Sequence, residues 1–107
     1  MAVAPSPHDE DRSTDSEGPR GWTFLTNHAH TLLCLAGGEP LTARELAMRI
    51  GITERAVQAI LADLTAEGYL AKSKVGRRNT YVVNRDGHLR HPLESQHTVG
   101  ELIAALS

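Results

Sequence analysis

The sequence predicts a mainly α-helical domain that carries one small β-hairpin, and three observations predict it. Apolar residues recur at i, i+3, i+4 and i+7 in four separate stretches, the spacing of one helix face. Threonines stand before those stretches and glycines follow three of them, as helix caps do. Between the third and fourth stretches lie two short runs containing Tyr and Val, separated by a glycine-bearing turn.

The first helix is marked by Ala29, Leu32, Leu33 and Ala36, with Thr26 or Asn27 as its cap and Gly37 as the left-handed residue after its end. Trp22, Phe24 and Leu25 just before it read as a hydrophobic clasp over the core. The second helix opens on Thr42-Ala-Arg-Glu45, a capping box in which hydroxyl and carboxylate satisfy each other's backbone N–H groups. Ala43, Leu46, Ala47 and Ile50 form its stripe, and Gly51 stops it. Only Ile52 and Thr53 then precede the third helix, whose stripe is Val57, Ile60, Leu61 and Leu64 and whose end is Gly68. Two amphipathic helices joined by so short a turn make a helix-turn-helix.

Tyr69 to Lys74 and Thr80 to Asn84 read as the two strands of a hairpin, with Gly76 or Asn79 supplying the turn geometry. Its tip is KSKVGRR, four cations in seven residues. After a break at Pro92, a last helix starts at about Thr98, where Thr98-x-x-Glu101 repeats the capping box, and Val99, Leu102, Ile103 and Leu106 share a face.

Charge is unevenly spread over the 107 residues, whose net value is −2. Residues 1–20 carry five carboxylates against two arginines and, with no apolar run beyond AVA, are expected to be a disordered acidic tail. Residues 44–90 carry nine cations against five carboxylates, the asymmetry of a polyanion binder. The tail lacks the apolar run of a secretory signal and no segment approaches a membrane span, so a cytoplasmic protein with no membrane partner is expected. Cys34 is the single cysteine, which forbids an intrachain disulfide and reads as a small buried hydrophobe.

Helix, helix-turn-helix and basic-tipped hairpin, in that order, resemble the winged helix-turn-helix transcription regulators of the MarR- and ArsR-like branch. The resemblance rests on residues 41–83, above all on ELAMRIGITERAVQAILADLTAEGYL followed by VGRRNTY. It implies that the third helix, about 53–67, enters the major groove of double-stranded DNA while the wing, 72–79, reaches the backbone or minor groove. With the apolar stripe turned inward, Thr53, Glu54, Arg55, Gln58 and Ala59 are the candidate reading residues. Arg55 suits guanine, Gln58 adenine and Ala59 a thymine methyl, and Thr53 with the helix-start N–H groups suits a phosphate. Lys72, Lys74, Arg77, Arg78 and Asn79 are the candidate wing contacts, and Thr42 and Arg44 are further candidates for the DNA backbone.

The resemblance also implies a homodimer matched to a palindromic site, with residues 21–87 as the DNA-binding domain and 88–107 as a segment and helix for dimerisation. The long flanking helices that enclose an effector pocket in many relatives are not seen, which argues against a small-molecule effector. No nucleophile–base pair, phosphate-cradling loop or paired carboxylates point to an enzyme, and no cofactor is expected. His28 and His30, two apart, fall on different helix faces, and His88, His91 and His97 flank a proline; no metal site is expected from them. The alternatives are a winged helix that docks a protein instead of DNA and a metal-responsive DNA-binding switch. A further expectation is that the acidic tail screens the basic face.

Overall fold

Four helices and a two-stranded antiparallel hairpin make up the regular structure of residues 21–107, the part of the chain that the computed structural model describes. In chain order they are α1 (Asn27–Leu35), α2 (Ala43–Ile50), α3 (Glu54–Ala66), β1 (Leu70–Val75), β2 (Arg78–Val83) and α4 (Val99–Leu106). The disorder and screening role expected of residues 1–20 lie outside the described residues.

Each helix starts in the same way. Thr26, Thr42, Thr53 and Thr98 hold extended backbone, and each hydroxyl accepts the amide hydrogen three residues on, from Ala29 (3.2 Å), Glu45 (3.0 Å), Ala56 (3.0 Å) and Glu101 (3.2 Å). Glu45 and Glu101 complete their boxes by accepting from the amides of Thr42 and Thr98, both at 2.7 Å. A threonine cap of this kind is worth about 1 kcal/mol. Gly51 and Gly68 take the left-handed conformation after α2 and α3, at φ 88° and 85°. After α1 the left-handed residue is Gly38 (φ 81°) and not Gly37, because Ala36 stays in the right-handed region and carries the helical pattern one residue further.

The stripes meet in one core. Leu32 and Leu35 of α1, Leu46 and Ala47 of α2, and Val57, Ile60, Leu61 and Leu64 of α3 are buried against one another, and Leu41 and Leu70 close the cluster. At about 1.5–3 kcal/mol per buried aliphatic side chain, this is what holds α3 at a fixed angle to α2. Val99 and Ile103 of α4 belong to the same cluster. The C-terminal helix read from about Thr98 is thus part of the one core. It is stitched to the hairpin base by backbone bonds from Leu89 N–H to His97 (3.0 Å), Val99 N–H to Gly87 (2.8 Å) and Gly100 N–H to Arg85 (2.8 Å). The Tyr69 hydroxyl donates to the His88 carbonyl, and the Arg85 guanidinium donates to the Ala36 carbonyl at the end of α1 (3.1 Å).

The clasp expected of Trp22 and Phe24 does not form. Both rings are exposed and pack edge-on against each other, centroids 4.9 Å apart, while Leu25 alone is half-buried. The buried cluster is made of aliphatic side chains and includes neither ring.

Candidate nucleic-acid interface

The site is built on α3, whose two faces separate cleanly. Its inward stripe is buried, and Arg55, Gln58, Ala59 and Ala62, again at i, i+3, i+4 and i+7, form an exposed outward stripe. Glu54 is exposed beside them. The Thr53 oxygen is committed to the Ala56 amide, so its hydroxyl hydrogen is the atom left to donate. The first-turn amides of α3 carry the positive end of the helix dipole at the same place. Arg44, near the start of α2, shares a shallow depression with Thr53 and Glu54. That depression runs along α2 and the turn to the start of α3.

The wing is narrower at its tip than the sequence suggests. Strand β2 begins at Arg78, which pairs with Val75, so the connection is the two-residue loop Gly76-Arg77. Gly76 has φ 63° and Arg77 a negative φ, the pattern of a type II′ turn, whose twist matches that of the strands. Asn79, one of the two candidates for the turn geometry, is instead a strand residue opposite Lys74.

This register divides the wing cations. Directly opposed residues share a face, so Leu70, Lys72 and Lys74 lie with Asn79, Tyr81 and Val83. Leu70 is buried and Tyr81 and Val83 pack against the core, so this is the side turned to the helices. Arg78 lies on the opposite side with Val75, Ser73 and Thr80. Arg77 stands at the tip. Among the described residues, none of Arg44, Arg55, Lys72, Lys74, Arg77 and Arg78 has a carboxylate within 4.0 Å; the ion pairs there are His28–Asp63 (2.9 Å), Arg49–Glu39 (3.3 Å) and His97–Glu101 (3.5 Å).

A cleft of about 180 Å³ joins the helix motif to the wing, lined by Thr42 and Ala43 of the α2 start, Gln58 of α3, and Arg78, Asn79 and Thr80 of β2. Thr42 therefore sits with Gln58 and Asn79 at one junction. Glu45 at this corner is held below the usual carboxyl range, first by the Thr42 backbone amide and then by the Thr42 hydroxyl, with the charges of Arg78 and Arg49 adding to the effect. The influence of the Arg78 charge on Glu45 has no signature in the sequence, because it depends on the strand register. Cys34 is half-buried, and burial pushes its thiol up, partly offset by Arg49, which favours the protonated form.

The histidines do not converge. His28 pairs with Asp63, His30 with the Asn27 side chain (3.2 Å) and His88 with the Ser95 carbonyl (2.8 Å). Among the described residues no group of three His, Cys, Asp or Glu side chains is placed to hold a metal ion. Nor is any described helix long and apolar enough to cross a membrane.

The model of the MarR family matches residues 23–78, just over half the chain, from the approach to α1 through the wing turn. No curated protein matches. Among solved structures, the zinc-dependent MarR family transcriptional regulator AdcR in its Zn(II)-bound state is 30% identical, over 64% of this chain and 50% of that one, with a TM-score of 0.45. The chain thus spans about half the length of that structure. The family match falls on the helix-turn-helix and hairpin described above, and the chain belongs to the MarR family of winged helix-turn-helix transcription regulators.

Proposed function

We propose that the protein is a sequence-specific, DNA-binding transcription regulator without catalytic activity that works in the cytoplasm as a homodimer. The N-terminal half of α3 enters the major groove, where Arg55, Gln58 and Ala59 meet base edges; Thr53 with Arg44 beside it, and Thr42 at the cleft by Gln58, meet phosphates. The wing follows the duplex with Arg77 at its tip and Lys72 and Lys74 along its inner face. Glu54 borders the reading residues, where a carboxylate accepts from a cytosine amino group or repels a misplaced phosphate. The observation that carries this reading is the continuity of one surface. The exposed stripe of α3 runs through the cleft at Gln58 and Asn79 into a wing whose cations are free of carboxylate partners among the described residues.

Fluorescence anisotropy with a random duplex and with the DNA upstream of the protein's own gene, titrated with salt, tests it. Binding is expected to be salt-sensitive and tighter on the upstream DNA. Arg77→Ala should weaken binding to both duplexes alike and lower the slope of log K against log salt by about one unit. Gln58→Ala should cost about 1–3 kcal/mol on the preferred site and little on random DNA. Absence of binding to either duplex at low salt would overturn the reading and point to a protein partner instead.

A further inference from the structure

A groove of about 520 Å³ separates β2 from the end of α1 and the connection that follows it. Thr80, Tyr81, Val82 and Val83 all line it. Successive strand side chains point to opposite faces, so a groove that meets four in a row follows the edge of the strand.

That edge has no partner strand. Among the described residues β2 pairs with β1 alone. The Asn84 N–H donates to the Tyr69 carbonyl at 2.9 Å, and the alternation of an antiparallel ladder then turns the backbone groups of Val82, Thr80 and Arg78 toward β1. Those of Asn79, Tyr81 and Val83 turn outward to the groove, and no backbone bond from the α1–α2 connection meets them. A row of free N–H and C=O groups is a template for one more strand.

The charges along the groove are those of a carboxylate seat. Arg78 and Arg85 line it, and among the described residues neither has a carboxylate within 4.0 Å. Arg85 donates to the Ala36 carbonyl, which leaves most of its five N–H groups unspent. The one carboxylate in the lining, Glu39, is already paired with Arg49 at 3.3 Å.

Residues 9–17, DEDRSTDSE, have the complementary pattern. In an extended chain Asp9, Asp11, Asp15 and Glu17 fall on one face, with Ser13 between the two acid pairs. The stretch lies between Pro7 and Pro19 and holds no proline, so each of its N–H groups can enter a ladder. The centres of the acid pairs would stand about 20 Å apart, against at most about 23 Å along the backbone from Arg78 to Arg85. The chain also reaches. Gly21 precedes α1 and the groove lies by the end of that helix, about 15 Å along its axis, while the eight residues from Gly21 back to Ser13 span up to about 26 Å.

We propose that residues 9–17 add to the free edge of β2 as a third strand, their acidic face on Arg78 and Arg85, and so compete with DNA for the wing. Asp, Ser and Glu have little preference for strand, which makes the contact weak enough for a duplex to displace. The competition rests on the DNA-binding reading above; the docking does not.

Amide hydrogen exchange followed by NMR, on the full chain without DNA, reads the docking. The comparison chain carries Asp11→Arg/Arg12→Asp/Asp15→Ser/Ser16→Asp, which keeps composition and net charge but breaks the acidic face. The N–H groups of Tyr81 and Val83 are expected to exchange at least about tenfold more slowly in the unaltered chain. Those of Thr80 and Val82, bonded to β1, should match in the two chains and show an unchanged hairpin. Anisotropy with a random duplex reads the competition. A tail docked nine-tenths of the time would weaken apparent affinity about tenfold, so the comparison chain should bind about three- to tenfold more tightly. Equal exchange at Tyr81 and Val83 in the two chains would overturn the docking. Slower exchange in the unaltered chain with equal duplex affinity would overturn the competition. If neither chain binds a duplex, the DNA-binding reading fails, and the exchange rates still decide the docking.

Discussion

Gly100 illustrates a residue whose local preference and tertiary surroundings pull in opposite directions. It lies in the first turn of α4, where alanine would ordinarily favour the helix by about 1 kcal/mol. A Cβ there would come within 3.0 Å of the Arg85 carbonyl oxygen and 3.1 Å of the Arg85 Cβ. The Arg85 carbonyl cannot swing aside freely, because it accepts the Gly100 N–H at 2.8 Å and Arg85 is itself anchored to the Ala36 carbonyl. Gly100→Ala is therefore expected to destabilise the protein by about 1–2 kcal/mol, of the size seen for overpacking. Urea unfolding followed by circular dichroism reads it, and a raised midpoint would show that α4 can shift away from the hairpin base. The same residue scale shows why Trp22 and Phe24 were misread. Large aromatics beside a helix start suggest burial, yet the side chains that reach the core are set by how the elements pack, which local sequence does not show.

At the scale of elements, the helices were legible and the hairpin only partly so, for a physical reason. Helix starts in this chain are set by local chemistry, a threonine hydroxyl and a carboxylate three residues on, and both capping boxes are present as read. Strand register is set by pairing across the turn, and the single glycine leaves the neighbouring arginines and asparagine free to join either strand or loop. The outcome, Val75 opposite Arg78, decides that Lys72, Lys74 and Asn79 share the helix-facing side and that Arg78 does not. The outward-facing residues of α3 were legible because the inward stripe fixes the outward one. The corner of Thr42, Gln58, Arg78 and Asn79 was not, since it joins three elements. The capping boxes also predict a pH dependence. The carboxyls of Glu45 and Glu101 are lowered from the ordinary value of 4.5, in each case first by the backbone amide of the capping threonine. A carboxyl with a depressed folded-state value contributes stability that is present above its unfolded value and lost as pH falls through the folded one. The urea midpoint should therefore hold above about pH 5 and fall progressively below the unfolded value near 4.5. Glu45→Gln/Glu101→Gln, which keeps an acceptor at each box, should flatten that fall, and an unchanged acid limb would show that other carboxyls govern it.

For the whole molecule, the position of α4 decides what counts as the domain. In the sequence, residues 88–107 are a segment broken at Pro92 and a helix expected to serve dimerisation. In space, Val99 is fully buried and Ile103 is 3% exposed, both in the cluster formed by α1, α2 and α3. A fold with so few ordered residues has a small margin, since short chains bury a smaller share of their surface. Ile103→Ala is expected to cost about 2–5 kcal/mol, a large part of the roughly 5–15 kcal/mol that holds a typical domain together. Ending the chain at Gly87 removes both side chains, exposes their seats and deletes the backbone bonds from Leu89, Val99 and Gly100. The truncated chain should accordingly lose cooperative thermal unfolding and, with it, the proposed binding to duplex DNA, even though every residue of α3 and the wing proposed to touch DNA is retained. Thermal circular dichroism and anisotropy on the same sample measure both. A cooperative transition in the truncated chain, with DNA binding retained, would restore the boundary at residue 87 and make α4 an accessory to assembly; loss of both makes it the wall against which the recognition helix is set.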